Sequence, residues 1–292
     1  MKKLFKKFYK LIPFKKQIFQ IVKHFWVPPH SIFKHLHFIG NFKVQIGTTV
    51  SFKIKHHGSE IENDIFWKGI NAGWEKVSMQ LWIQLCKNSN IVLDIGANTG
   101  IYALTAKALN PNAQVYAFEP LTQIFRKLKA NNDLNNFDIL CIEKAVSDKN
   151  GKAIIYETGN DLITAATMNA ETRKYGALDV ETEIETITLD TFVSDNHLGK
   201  IDLIKVDVET YEPNVLEGYK NYLAVHRPNF LIEVLTDDVG QKLQKIFDGL
   251  GYCYFNIDDR NGKIRKTDTI TKSDHFNYLI TNGDTAKKLN LL

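Results

Sequence analysis

The chain has 292 residues, 44% of them hydrophobic and 24% charged. That is the balance of a folded globular protein, and it excludes a mostly disordered chain, a collagen or a long coiled coil. At roughly 100–200 residues per domain, one catalytic-size domain with an extension is expected. No run approaches the ~20 apolar residues of a membrane span. The three cysteines, Cys86, Cys141 and Cys253, are scattered and odd in number. They form no metal-ligand spacing and no disulfide framework, which suits a reducing compartment, and a cytoplasmic chain is expected.

The formal net charge of +4 is unevenly spread. Residues 1–59 hold twelve lysines and no Asp or Glu, so residues 60–292 carry −8, the +4 of the whole less the +12 of the arm. Within the arm, Leu4, Phe5, Phe8 and Ile12 recur at helical spacing, Ile18, Phe19, Val22 and Phe25 do so again, and Pro13 separates the two sets. Two short amphipathic helices are predicted. Two readings of them stand. They pack on the body with their lysines in water, or residues 1–25 make a peripheral contact with the anionic inner face of a membrane. The acidic body would repel a phosphate backbone, so no nucleic acid is expected as partner. A cleaved leader is not expected, because Lys15 and Lys16 interrupt the apolar run and no small-residue cleavage site follows.

Residues 38–66 read as short β segments: FKVQI, VSFKI and the run around Ile61–Trp67. A helix is predicted over 74–87. From Ile91 the pattern alternates, with strands at 91–95, 114–119, 138–143, 202–207 and 229–235 and helices at 100–109, 121–135, 212–224 and 238–249. Such alternation implies a parallel sheet covered on both faces. YCYFNI and HFNYLIT flank the turn-rich stretch Asp258–Asp274 and are predicted to pair antiparallel, closing the sheet. Residues 158–182 lack periodicity and read as a long loop or insertion. The expected organisation is a basic arm with a short β extension over 1–73 and one α/β domain over 74–292.

The most informative segment is IVLDIGANTGIY, Ile91–Tyr102. An apolar strand ends in Asp94, and Gly96, Asn98 and Gly100 turn the chain tightly into a helix, with glycine letting the backbone approach a ligand. A second strand ends in Glu119, twenty-five residues after Asp94, where a carboxylate can accept hydrogen bonds from both hydroxyls of a ribose. A dinucleotide loop wants G-x-G-x-x-G and a pyrophosphate. This loop instead offers acids and suits a ligand with no phosphate and a methionine amino group, which favours S-adenosyl-L-methionine as cofactor. The competing readings are a structural turn capped by Asp94, and a nicotinamide or flavin site.

DIGANTGIYAL, YAFEP, LKANNDLN, EKAVSDKNG, TLDTF, DLIKVDVETYEPNVLEG, RPNFLIEV and FNYLI occur in this order. Together, over residues 74–281, they resemble the FkbM-type family of S-adenosylmethionine-dependent methyltransferases. The resemblance implies a Rossmann-like class I methyltransferase fold, with a mostly parallel seven-stranded sheet and helices on both faces. It also implies methyl transfer, usually to a hydroxyl oxygen, on a sugar or glycan or a secondary-metabolite intermediate, as in polysaccharide biosynthesis. By position, Asp94, Gly96, Asn98, Gly100 and Tyr102 would form the cofactor loop. Glu119 would hold the ribose with Pro120 shaping the next turn, and Ala145, Val146, Ser147 and Asp148 would lie near the adenine. Asp207 and Glu209 would face the transferring methyl. The family commonly has Gly-Ala or Gly-Phe where this chain has Thr210-Tyr211, a bulkier pair that could narrow the acceptor pocket.

An alcohol is a weak nucleophile and gains from a general base. DVETYE supplies Asp207, Glu209 and Glu212, with Asp207 and Glu209 sharing one strand face by the period of two, and Glu233 ends the next strand. Glu209 is the first candidate for the base, then Asp207, with Glu233 facing the same space; clustering would raise their pKa values. The alternatives are that Glu209 and Glu233 only brace loops, or that the acids hold Mg²⁺ against the acceptor; no metal is assigned. His56-His57 reads as a surface pair, His226 as structural, and His275 as a residue that could reach the pocket. Trp67, Trp74 and Trp82 read as core. Two other functions stay open: methylation of nitrogen, although the Asn/Asp-Pro-Pro-aromatic motif is absent, and a non-catalytic binding protein.

Overall fold

The computed structural model describes residues 13–158, 166–170 and 180–292. The helix predicted on Leu4–Ile12 and most of the 158–182 insertion lie outside the described residues. The chain divides into two compact units at Trp74 and Glu75.

The first unit contains α1 (Lys15–Phe25), α2 (His30–Phe33), the antiparallel strands β1 (Gly40–Ile46) and β2 (Val50–His56), and α3 (Glu60–Lys68). Both strands alternate as predicted, with Phe42, Val44, Ile46, Phe52 and Ile54 buried. Aromatic rings make its core: Phe38 lies 4.7 Å from Phe66 and 6.0 Å from Phe42, and Phe66 lies 5.3 Å from Trp67. Two expectations are corrected here. The run around Ile61–Trp67 is helical rather than a strand. Ser59 caps it, its Oγ accepting from Glu62 N at 3.3 Å, and Glu60 and Glu62 sit in the positive first turn. His56 is not a surface residue; it is fully buried, 3.2 Å from Asn63 Oδ1, and its Nδ1 accepts from Gly58 N at 2.9 Å.

The second unit runs in the order α4 (Lys76–Cys86), β3 (Ile91–Ile95), α5 (Ile101–Leu109), β4 (Gln114–Phe118), α6 (Thr122–Leu134), β5 (Leu140–Ile142), β6 (Ala145–Val146), β7 (Gly151–Glu157), β8 (Ala166–Thr167) and β9 (Val180–Ile187). It continues with α7 (Leu189–Asp195), β10 (Leu203–Val206), α8 (Glu212–Glu217), α9 (Lys220–His226), β11 (Asn229–Glu233), α10 (Asp237–Phe247), β12 (Tyr252–Asp258), β13 (Lys263–Thr267), β14 (Asn277–Asn282) and α11 (Gly283–Lys288). The main sheet has the order β13-β12-β14-β11-β10-β3-β4-β5. β5, β4, β3, β10 and β11 are parallel neighbours, and β14 runs antiparallel to both β11 and β12. The order reverses between β3 and β10, so the carboxyl ends of β3, β4, β10 and β11 open on one crevice. This is the Rossmann-like α/β arrangement expected. β3 and β10 are short and largely apolar because they are covered on both faces; the exceptions are Asp94 in β3 and Lys205 in β10.

Three local readings are corrected. The sheet has eight strands, because β13 lies within the stretch read as a turn. Asp258 makes that hairpin, accepting from Arg260 N at 3.0 Å and Asn261 N at 2.8 Å, and Gly262 takes φ +75°. The helix predicted over 212–224 breaks into α8 and α9 at Gly218, where a Cβ would come within 2.1 Å of Ser147 O. β6, β9, β7 and β8 form a second, four-stranded sheet that the sequence reading did not anticipate. Its longest strand, VETEIETI, carries Glu181, Glu183 and Glu185 on its open face, and only Ile184 and Thr186 are buried. Among the described residues no helix is long and apolar enough to cross a membrane.

Two helices take an N-terminal cap from a side chain outside the helix. Gly100 precedes α5 and has no side chain to offer, so Asp94 Oδ2 accepts from Ala103 N at 2.9 Å. Glu75 precedes α4 without capping it, and Asp259 Oδ1 accepts from Val77 N at 2.7 Å and Ser78 N at 2.9 Å. Loss of a cap costs about 1–2 kcal/mol. Asp259→Ala should lower the unfolding free energy in urea by that amount, and Asp259→Asn, which keeps an oxygen acceptor, should recover most of it.

Candidate functional site

The β3–α5 loop shows why glycine stands where it does. Gly96 has φ +77°, and a Cβ there would meet Asp207 O at 1.9 Å; Gly100 has φ +91° and faces Leu128 at 2.5 Å. Gly96 N and Ala97 N both donate to Phe118 O, which ties the loop to the end of β4. Asn98, at φ +49°, donates its N–H to Glu119 Oε2 at 3.1 Å, while Leu121 N donates to Oε1 at 3.0 Å. Glu119 is thus buried and held at both oxygens, each with acceptor capacity to spare. Burial pushes Asp94 and Glu119 each up to about 7.

Pro120 follows β4, half-buried. Ala145 and Val146 form buried β6, and Ala145 packs with Leu121, next to Glu119. Ser147 Oγ donates to Asp148 Oδ1 at 3.0 Å and lies 3.3 Å from Tyr211 Oη, which itself donates to Asp148 Oδ1. These residues are therefore joined to the loop after β10. Tyr102 turns into the interior: its hydroxyl donates to Glu75 at 2.5 Å, and Lys205 Nζ lies 5.0 Å from its ring centre.

Beyond β10, Asp207, Glu209 and Glu233 each present a carboxylate oxygen within 4.8 Å of the others. The strand pleat does not bring them together. β10 ends at Val206, and Glu209 and Thr210 take φ +53° and +78°, so a turn swings Glu209 back toward Asp207 and the end of β11. Positive φ at Thr210 accounts for the glycine common at this place in the family. Here the strained turn is held from outside. Thr167 Oγ1 donates to Glu209 O at 2.5 Å, and Asn169 Nδ2 donates to Thr210 Oγ1 at 2.9 Å. From beneath, Glu212 Oε1 accepts from Val208 N and Thr210 N.

The sequence reading missed four participants. Lys205 is buried under the cluster and donates to Asp207 Oδ2 at 2.9 Å; the surrounding carboxylates raise its pKa against the burial. A lone lysine inside the apolar run DLIKVD was the available signal. Glu75 adds a further acid beside Lys205 and Asp207, with no motif to mark it. Thr167 and Asn169 sit in the unpatterned insertion. His275, by contrast, lies 3.4 Å from Asp258. Trp67 and Trp82 are fully buried, as read, and His226 is engaged by Tyr219 Oη at 2.7 Å.

Three acids at the site have raised pKa values. Burial and then Asp207 push Glu209 up to about 7, burial pushes Glu212 up to about 8, and burial and Asp207 raise Glu233 strongly. Carboxyls whose folded pKa exceeds the unfolded value near 4.5 favour the folded state below that value, and this contribution is lost as pH rises through the folded pKa. The ligand-free chain should therefore lose melting temperature between pH 5.5 and 8. Glu212→Gln should flatten that slope, as read by thermal denaturation at both pH values.

The sequence profile described as the Methyltransferase FkbM domain matches residues 94–254. Over 163 residues the chain is 29% identical to 2-O-methyltransferase NoeI of Sinorhizobium fredii, covering 52% of this chain and 66% of that protein. It is 27% identical to hexuronic acid methyltransferase AglP of Haloferax volcanii, covering 60% and 68%, and 30% identical to 31-O-demethyl-FK506 methyltransferase FkbM of Streptomyces tacrolimicus, covering 45% and 60%. The matched stretch thus spans about two thirds of these relatives' length. Because the profile match takes in more than half of the residues and the whole crevice from Asp94 to Glu233, the chain belongs to the FkbM methyltransferase domain family.

Proposed function

We propose that the chain binds S-adenosyl-L-methionine at the ends of β3 and β4 and transfers its methyl group to a hydroxyl oxygen of a sugar, glycan or secondary-metabolite intermediate. The donor set fits this cofactor. Glu119 presents two buried oxygens suited to ribose hydroxyls, Asp94 and Asp207 supply acceptors for an amino group, and the loop turns on Gly96 and Gly100. The named relatives, a 2-O-methyltransferase, a hexuronic acid methyltransferase and a 31-O-demethyl-FK506 methyltransferase, support an oxygen acceptor.

The observation that carries the reading is the convergence of Asp207, Glu209 and Glu233 within 4.8 Å at the carboxyl ends of β10 and β11. When bound, the cofactor supplies the electrophile, a methyl on a sulfonium. The protein's residues then place the acceptor and take its proton. Glu209 is the proposed base: it is partly exposed, so it can meet an acceptor, and near neutrality it is poised between its two forms. Glu233, its pKa raised further, holds a proton and can donate to the acceptor or to Glu209. Lys205 donates to Asp207 Oδ2 beside them. The oxygen triad also favours a second reading, in which a divalent cation binds the acceptor as Lewis acid.

Calorimetric titration should show S-adenosyl-L-methionine binding to the wild type and at least tenfold weaker binding to Glu119→Ala. With an accepted hydroxyl substrate, Glu209→Gln should lose about 10²–10⁴-fold in kcat while keeping cofactor affinity. The wild-type rate should rise with pH through about 7, where Glu209 deprotonates. Loss of rate in EDTA, restored by Mg²⁺, would replace the base reading with the cation reading. Absence of cofactor binding by the wild type would overturn both.

A further inference from the structure

We propose that α1 is a docking surface for an anionic lipid bilayer, an inference independent of the reaction. One side of the helix is used inside its own unit. Phe19, its one buried residue, lies 5.4 Å from Trp67 and 6.5 Å from Phe38, and Lys23 Nζ donates to Phe66 O. The opposite side is apolar and faces water. Phe14, Ile18, Ile21 and Phe25 are 73%, 43%, 63% and 81% exposed. Their spacing is i, i+4, i+7 and i+11, which lines them up in one stripe along the helix. Trp26 and Val27 prolong it, 55% and 44% exposed. The sequence reading expected an apolar face that either packs or meets a membrane. The packing seats Phe19 and Lys23 and leaves the continuous stripe outside.

Charge selects what covers the stripe. Residues 1–59 contain twelve lysines and no acid, so a second copy of this face would bring lysine against lysine, whereas an anionic headgroup layer attracts it. No charged residue interrupts the stripe. Gln17 and His24 border it on one side and Val22 and Lys15 on the other, while Lys16 and Lys23 lie on the opposite face. A bilayer interface accepts this pattern: phenylalanine, isoleucine and tryptophan enter the acyl boundary while lysines extend to the phosphates. Residues 1–12 add Lys2, Lys3, Lys6, Lys7 and Lys10, interleaved with Leu4, Phe5, Phe8 and Leu11, so the same composition continues toward the terminus.

The test is co-sedimentation of the full chain with vesicles of phosphatidylcholine, with and without about one-third phosphatidylglycerol, alongside the double variant Ile21→Glu/Phe25→Glu. The wild type should pellet with the anionic vesicles only. Salt near 1 M, where the Debye length is about 3 Å, should weaken that binding. The double variant should bind at least tenfold more weakly with an unchanged melting temperature, since both side chains are exposed. Three outcomes overturn the proposal. The wild type stays in the supernatant with anionic vesicles, or the variant binds as the wild type does. Alternatively, the variant melts lower or turns a dimer into a monomer, which identifies the cover as the chain's own segment or a second copy.

Discussion

The crevice of the second unit depends on one buried charge. Lys205 sits in the middle of β10, in register with Asp94 of β3 and Leu231 of β11, and an unpaired ammonium there would be prohibitively costly. It is tolerated because Asp207 accepts its proton donor at 2.9 Å, because the Tyr102 ring lies beneath it, and because Glu75 and Glu233 add their fields. The dependence is mutual. Without that ammonium, several half-buried acids would face one another with nothing to offset them, and the end of β10 would have no electrostatic reason to hold its shape. The lysine thus sets how much negative charge the site can hold close to a cationic ligand.

Around that charge, the backbone is organised by carboxylates acting at a distance in sequence. Asp94 closes the first turn of α5, and Glu119 receives N–H groups from Asn98 and Leu121. Glu212 receives those of Val208 and Thr210. These loops are therefore stitched by acids: Glu119 accepts at both oxygens, and Glu212 accepts twice at Oε1 while its Oε2 has no partner among the described residues. The same residues that make the fold rigid make the pocket acidic, and the reading of Asp94 as a structural cap and its reading as a ligand residue are both compatible with what it does here.

Much of this was legible in the sequence, for identifiable reasons. Strands such as IVLDI are apolar but for Asp94 because they are covered on both faces, and the tight glycine turn followed by Glu119 has few physical alternatives. What escaped the reading depended on partners far away. The strand VETEIETI looks polar because only one face of its sheet is covered. Lys263–Thr267 pairs through an Asp258 turn that lacks a strong apolar pattern. Ile61–Trp67 reads as β by composition but is helical because Ser59 caps it. In the site, Asp207, Glu209 and Glu233 were correctly grouped but for an incomplete reason, since the pleat ends at Val206 and a left-handed turn completes the cluster. Glu75 could not be found from local pattern at all.

The two bonds from Thr167 and Asn169 to the Glu209–Thr210 turn carry a consequence for altering this chain. Loops of this kind are where related enzymes diverge, and residues 166–170 would be a natural place to exchange sequence in search of a new acceptor. Here that segment also fixes the backbone that presents Glu209. Selectivity and rate are therefore not separable variables: a graft that accommodates a different molecule while omitting a hydroxyl at 167 or an amide at 169 would release a strained turn and move the proposed base. Successful redesign would have to transplant the clasp together with the lining.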